Sequence, residues 1–182
     1  QEKDLLSKEP YDAPTMPDGG TEDMNWSADS KWLAYVSVKK MGKEYAISTN
    51  SEIYLYELST GKTTNITDGL KGYDKNPVFS PDGRYLAWTS MARDGYESDK
   101  NEIYIMDLQT KVRNKITADW DETVNQLIWS KDSKSIYCNV PYRGLIQLFE
   151  IQIPTDIQKA KETKFRQITN TNYEVQTEPL YK

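Results

Sequence analysis

No histidine occurs in the 182 residues, and cysteine occurs once, as Cys138. Without a histidine neither a Ser-His-Asp nor a Cys-His relay can be assembled, and no Gly-x-Ser-x-Gly elbow is present to expose a nucleophilic serine. The chain by itself is therefore expected to hold no catalytic residue. A single cysteine also excludes an intrachain disulfide, and Cys138 reads as a small strand residue rather than a reactive thiol. For a metal only oxygen ligands remain, and the Asp-x-Asp-x-Asp-Gly calcium loop is missing, so neither a metal nor a cofactor is expected. No apolar run approaches the roughly 20 residues of a membrane span. Basic runs are missing too: the 23 Lys and Arg are interspersed with 28 Asp and Glu for a net charge of −5, which argues against a nucleic-acid footprint. Residues 1–10 lack the apolar stretch of a signal peptide. A start at Gln1 rather than Met reads as a processed or excised segment, which leaves open whether the parent is exported.

Apolar residues make up only 37% of the chain, and much of that is aromatic: 13 Tyr and five Trp against three Phe. Such rings bury area while keeping a polar tip wet, which suits strands with one packed and one solvated face. Three stretches align without gaps. They run from Trp26 to Ser37, from Phe79 to Ser90 and from Trp129 to Val140, and their starts lie 53 and 50 residues apart. A second motif follows each one, beginning Glu52-Ile-Tyr, Glu102-Ile-Tyr and, more loosely, Ile146-Gln-Leu. A third closes each unit as Asn65-Ile-Thr, Lys115-Ile-Thr and Gln167-Ile-Thr.

Each aligned stretch opens with an aromatic-Ser-x-Asp corner, where short polar side chains bond nearby amides and Gly83 accepts positive φ. Runs with period two flank the corners. A repeat of four strands at this period predicts an all-β partial propeller of about three four-stranded antiparallel blades. The divisions are residues 1–21, a linker or the end of a preceding blade; 22–74, blade one; 75–124, blade two; 125–172, blade three; and 173–182, the start of a following blade. Trp26, Leu33, Tyr35, Phe79, Leu86, Trp88, Trp129 and Ile136 are the expected core. Propellers close with about 4 to 8 blades, so two faces would stand open and invite self-association. Residues 154–163 read as a long hairpin loop. The sequons at Asn25 and Asn65 fall inside repeat motifs and read as structural.

The Ser-Pro-Asp-Gly corner at Ser80 followed by Leu-Ala-Trp-Thr-Ser resembles the propeller repeat of TolB and of the prolyl oligopeptidase family of serine peptidases. Residues 45–54, 72–77 and especially 91–100, Met-Ala-Arg-Asp-Gly-Tyr-Glu-Ser-Asp-Lys, are similar to the dipeptidyl peptidase V group. The resemblance runs from about Glu9 to the C-terminus. It implies a periplasmic or secreted parent in which a propeller covers the active-site mouth of a C-terminal α/β-hydrolase domain and admits short peptides with a free amino terminus. A TolB-like protein-binding propeller with no hydrolase attached is the alternative.

An exopeptidase of that kind needs a carboxylate for the substrate's α-amino group. Residues 91–101 crowd Arg93, Asp94, Tyr96, Glu97 and Asp99 into one loop, with Glu97 or Asp94 as the amine partner and Arg93 orienting it or holding a carbonyl. The plainer reading is an Arg93–Glu97 ion pair stiffening the loop. The matching loop of blade one, residues 38–51, holds Lys39, Lys40, Lys43 and Glu44 and reads as a solvated hairpin tip. That of blade three, residues 141–144, is too short to reach far, and Arg143 there reads as a surface residue.

Overall fold

The computed structural model describes residues 4–17 and 19–175. Among these residues twelve strands form three separate four-stranded sheets in simple up-and-down order, every pairing antiparallel. Blade one contains β1 (Met24–Trp26), β2 (Trp32–Ser37), β3 (Glu52–Glu57) and β4 (Lys62–Asn65). Blade two contains β5 (Asp74–Phe79), β6 (Tyr85–Ser90), β7 (Glu102–Asp107) and β8 (Arg113–Lys115). Blade three contains β9 (Asn125–Trp129), β10 (Ser135–Tyr142), β11 (Leu145–Gln152) and β12 (Lys164–Gln167). The first strand of each blade approaches the first strand of the next, so β1, β5 and β9 are innermost. The sheets do not close: this is an all-β partial propeller.

The repeated motifs each carry a specific bond. In the corners Ser27, Ser80 and Ser130 donate to Asp29, Asp82 and Asp132 at 2.7, 2.5 and 2.7 Å. The same hydroxyls accept from the amides of Trp32, Tyr85 and Ser135 at 2.9, 2.8 and 2.9 Å, which starts the second strand at a fixed place. The turn needs positive φ four residues into the motif, taken by Gly83 (71°) and by Ser30 (57°) and Ser133 (58°). The Ile-Thr motif works at the outer edge. Thr67, Thr117 and Thr169 accept through Oγ1 from the amides of Ile53, Ile103 and Leu148 at 3.0, 2.8 and 2.9 Å, satisfying donors that β4, β8 and β12 end too early to reach.

Alternation along the strands sends one set of side chains to each neighbouring blade. Ala34, Val36, Ile53 and Leu55 of blade one meet Phe79, Leu86, Trp88 and Met106 of blade two. The opposite face of blade two, with Ala87, Ile103 and Ile105, meets Leu127, Ile136, Cys138 and Ile151 of blade three. Burial pushes the Cys138 thiol up to about 12, consistent with a packing role. Ile157 of the 154–163 loop folds back into that second core, and Asn114 Nδ2 donates to its carbonyl at 2.8 Å.

Of the eight expected core residues Leu33, Tyr35, Phe79, Leu86, Trp88 and Ile136 are buried, and Trp129 is half-buried with its ring stacked on Tyr85. Trp26 is the correction, at 49% exposed. Its register is not slipped: it pairs with Leu33 and shares that residue's face. That face points away from blade two. Leu5, Leu6 and Ala13 of the leading segment cover Leu33 and Tyr35, so residues 4–17 pack on blade one rather than hang free. Ile168 is 39% exposed on the far blade, whereas its repeat equivalents Ile66 and Ile116 lie buried under the next sheet. Val175 donates to Ile146 O at 2.9 Å as Asp74 does to Ser51 O and Val124 to Asn101 O. The start of a following blade expected at residues 173–182 is irregular through Val175, and its remainder lies outside the described residues.

Candidate functional site

Connections after the second strand of each blade emerge at one end, together with the connections between blades, because strand direction alternates. The 91–101 loop, the 38–51 loop and the 143–144 turn therefore share an end. The blade-three turn is a two-residue link with Arg143 and Gly144 both at positive φ (52° and 82°), a short hairpin as expected. In blade one the hairpin tip expected at residues 38–51 instead contains a helix, α1 (Gly42–Ile47). Lys39 pairs with Glu9, with its ammonium 3.9 Å from the Tyr54 ring centroid. Lys40 donates to Asn50 O at 2.9 Å.

In the 91–101 loop the four predicted residues separate into three roles. The Arg93–Glu97 ion pair is not formed. The guanidinium of Arg93 is instead bracketed by Asp99, with Nε 3.0 Å from each carboxylate oxygen, and lies 3.7 Å over the Tyr96 ring. Arg93 in turn holds the Asp99 carboxyl below its ordinary range. Asp94 points across to blade one. Ser48 Oγ donates to it at 2.9 Å from each oxygen and the Thr49 amide at 2.7 Å, while Gly95 N donates back to Thr49 Oγ1 at 2.8 Å. Burial alone would raise the Asp94 pKa, but the Ser48 hydroxyl and the Thr49 and Asn50 amides outweigh it and lower it overall.

Glu97 differs from both. It accepts from the Tyr73 hydroxyl at 3.3 Å, and among the described residues no Lys or Arg forms an ion pair with it. Tyr73 directly precedes the inner strand β5, so this contact draws Glu97 toward the inner part of the blade. Sequence reasoning did not find Tyr73, Ser48 or Thr49 as members of the cluster, and it placed Asp99 in the loop without finding it as the partner of Arg93.

Behind this end lies a buried carboxylic acid. Asp74, fully buried at the head of β5, accepts from Trp88 Nε1 at 3.1 Å through Oδ1, and among the described residues its Oδ2 has no hydrogen-bond partner. Burial pushes its pKa up to about 7, only partly offset by Ser90, Trp88 and Thr67. The sequons are occupied structurally: Asn25 Oδ1 accepts from Phe79 N and Asn65 Oδ1 from Thr67 N, each at 3.0 Å.

Residues 23–180 match the family described as the TolB beta propeller domain. The chain belongs to the TolB β-propeller family. Among curated relatives of this TolB β-propeller, the dipeptidyl-peptidase 5 of Porphyromonas gingivalis is 44% identical over 172 residues, covering 94% of the chain and 24% of that protein. The dipeptidyl-peptidase 5 of Porphyromonas endodontalis is 53% identical over 106 residues, 58% of the chain and 15% of that protein. Among solved structures, TolB from Acinetobacter baumannii superposes with a TM-score of 0.58 at 26% identity, covering 84% of the chain and 33% of that structure. The chain thus spans a quarter or less of the two curated relatives.

Proposed function

We propose that this TolB β-propeller segment is the non-catalytic propeller portion of a dipeptidyl-peptidase-like serine exopeptidase. In this reading it gates access to a C-terminal α/β-hydrolase domain and helps hold the amino terminus of short peptides. The parent is a periplasmic or secreted enzyme. The observation that carries the reading is Glu97: an exposed carboxylate beside the inner strand, with Arg93 committed to Asp99 and, among the described residues, no Lys or Arg in an ion pair with it. A carboxylate left in that state is suited to an ammonium brought by the substrate. Identity supports the peptidase over the binding-only TolB alternative, at 44% across nearly the whole chain against 26% for TolB itself. Separated from the parent, the segment pairs its open blades with a second copy, because Trp26 and Ile168 then have no neighbouring blade to cover them.

The test is Glu97→Gln in the full-length parent. Truncating one partner of an ammonium–carboxylate pair in a partly desolvated site costs about 2–5 kcal/mol, which corresponds to a loss of roughly 30-fold or more in kcat/KM for dipeptidyl substrates with a free amine. Amino-blocked substrates are expected to be unaffected. Equal losses on both would overturn the amine-holding role.

A further inference from the structure

The six residues of α1 bury none of their side chains, and its N-cap residue Met41 makes no side-chain cap. A helix this short is unstable alone, since about 12–15 residues are needed before an isolated helix becomes even marginal. Something outside it must hold it. The 91–101 loop is in the same condition: Ala92, Arg93, Asp94, Gly95, Tyr96, Glu97 and Ser98 are all exposed. The contact between the two is concentrated at the C-terminal end of α1. There Ser48 and Thr49 converge on Asp94, and Gly95 returns a bond to Thr49, across 45 to 46 residues of sequence.

We infer that Asp94 is a positioning residue that fastens α1 of blade one to the 91–101 loop of blade two. The two exposed segments then stand as one wall, with Glu97 held in place on it. The inference rests on the amine-holding reading for its consequence to substrates, and on the hydrogen bonds alone for the fastening itself. It removes Asp94 from the candidates for direct amine pairing, because its oxygens already accept from Ser48 and Thr49. It also gives blade one a part in the site: the fastening sets where Tyr45 and Ile47 of α1, 44% and 66% exposed, stand relative to Glu97. Because the Asp94 pKa is lowered, the carboxylate is ionised across neutral and mildly acidic pH, so the fastening is constitutive rather than a switch.

The experiment uses the full-length parent with Asp94→Ala, Asp94→Asn and Glu97→Gln, and reads two quantities. The first is amide hydrogen exchange across residues 42–49, a segment remote in sequence from the substitutions. The second is KM and kcat on free and amino-blocked dipeptidyl substrates. In Asp94→Ala, exchange at 42–49 is expected to quicken and KM for free substrates to rise about tenfold with kcat nearly unchanged, as befits a misplaced binding group. Asp94→Asn keeps an oxygen for the Thr49 amide and is expected to restore most of both. Unchanged exchange at 42–49 in Asp94→Ala would overturn the fastening. Quickened exchange with unchanged KM, where Glu97→Gln does raise KM, would overturn the positioning of Glu97. If Glu97→Gln leaves KM unchanged, the amine-holding reading fails by itself, and the exchange result still decides for or against the fastening.

Discussion

Asp74 makes the stability of the blade-one and blade-two interface depend on pH in a direction opposite to that of most carboxylates. It is fully buried, it receives the Trp88 indole on one oxygen, and its other oxygen has no hydrogen-bond partner among the described residues. Its folded pKa of about 7 lies above the ordinary value of 3.8. The folded protein therefore holds this proton more tightly than the unfolded chain does. Below the ordinary value both states are protonated and the group costs nothing; between pH 4 and pH 7 the unfolded chain loses the proton first, so stability falls as pH rises; above pH 7 the full penalty stands. A shift of about three units at 1.36 kcal/mol each bounds that penalty at about 4 kcal/mol, with about 2 kcal/mol remaining if the site relaxes or admits water. Asp74→Asn keeps an oxygen for the indole and removes the charge. The variant is expected to match the parent near pH 4 and to exceed it by about 2–4 kcal/mol at pH 8. Urea unfolding followed by tryptophan fluorescence at several pH values measures this. The difference between the two proteins cancels the opposite trend from carboxylates such as Asp107 and Glu150, whose pKa values are lowered. A difference that stays flat from pH 4 to pH 8 would refute the buried-acid argument.

Phe79→Ala removes a ring from the core between blades one and two and is expected to cost about 3–5 kcal/mol by denaturant midpoint, whereas the repeat-equivalent Trp26→Ala costs markedly less because half of Trp26 is in solvent. Thr117→Val leaves the Ile103 amide unpaired in a buried site and is expected to cost about 1–3 kcal/mol, with faster amide exchange at Ile103 as the local signature.

The sequence by itself determined the blade. Three spaced copies of the aromatic-Ser-x-Asp corner, an alternating strand and the Ile-Thr closure each encode a bond made within one sheet. Such bonds stay inside one repeat, two to five residues apart in the corner, as Ser80 to Asp82 and Tyr85, and 14 to 21 apart in the Ile-Thr closure, so a single repeat suffices to specify them. The burial of Leu86, Trp88 and Ile136 followed from the same alternation. Tertiary structure alone decided what depends on the neighbouring blade. Trp26 occupies the same place in its repeat as Phe79, yet one is half in solvent and the other buried, because only Phe79 has a sheet across from it. The loop residues were harder still. Arg93, Asp94, Glu97 and Asp99 are four charges within seven residues, and nothing in their order says which pair closes the loop, which reaches blade one and which accepts from Tyr73. That assignment depends on Ser48 and Thr49, which lie 45 to 46 residues away and come into range only when the two blades stack, and on Tyr73, 24 residues away beside β5 of the same blade. Ionic and hydrogen-bond partners are selected by distance in space, and distance across a blade interface is a property of the packed sheets rather than of the repeat that encodes each of them.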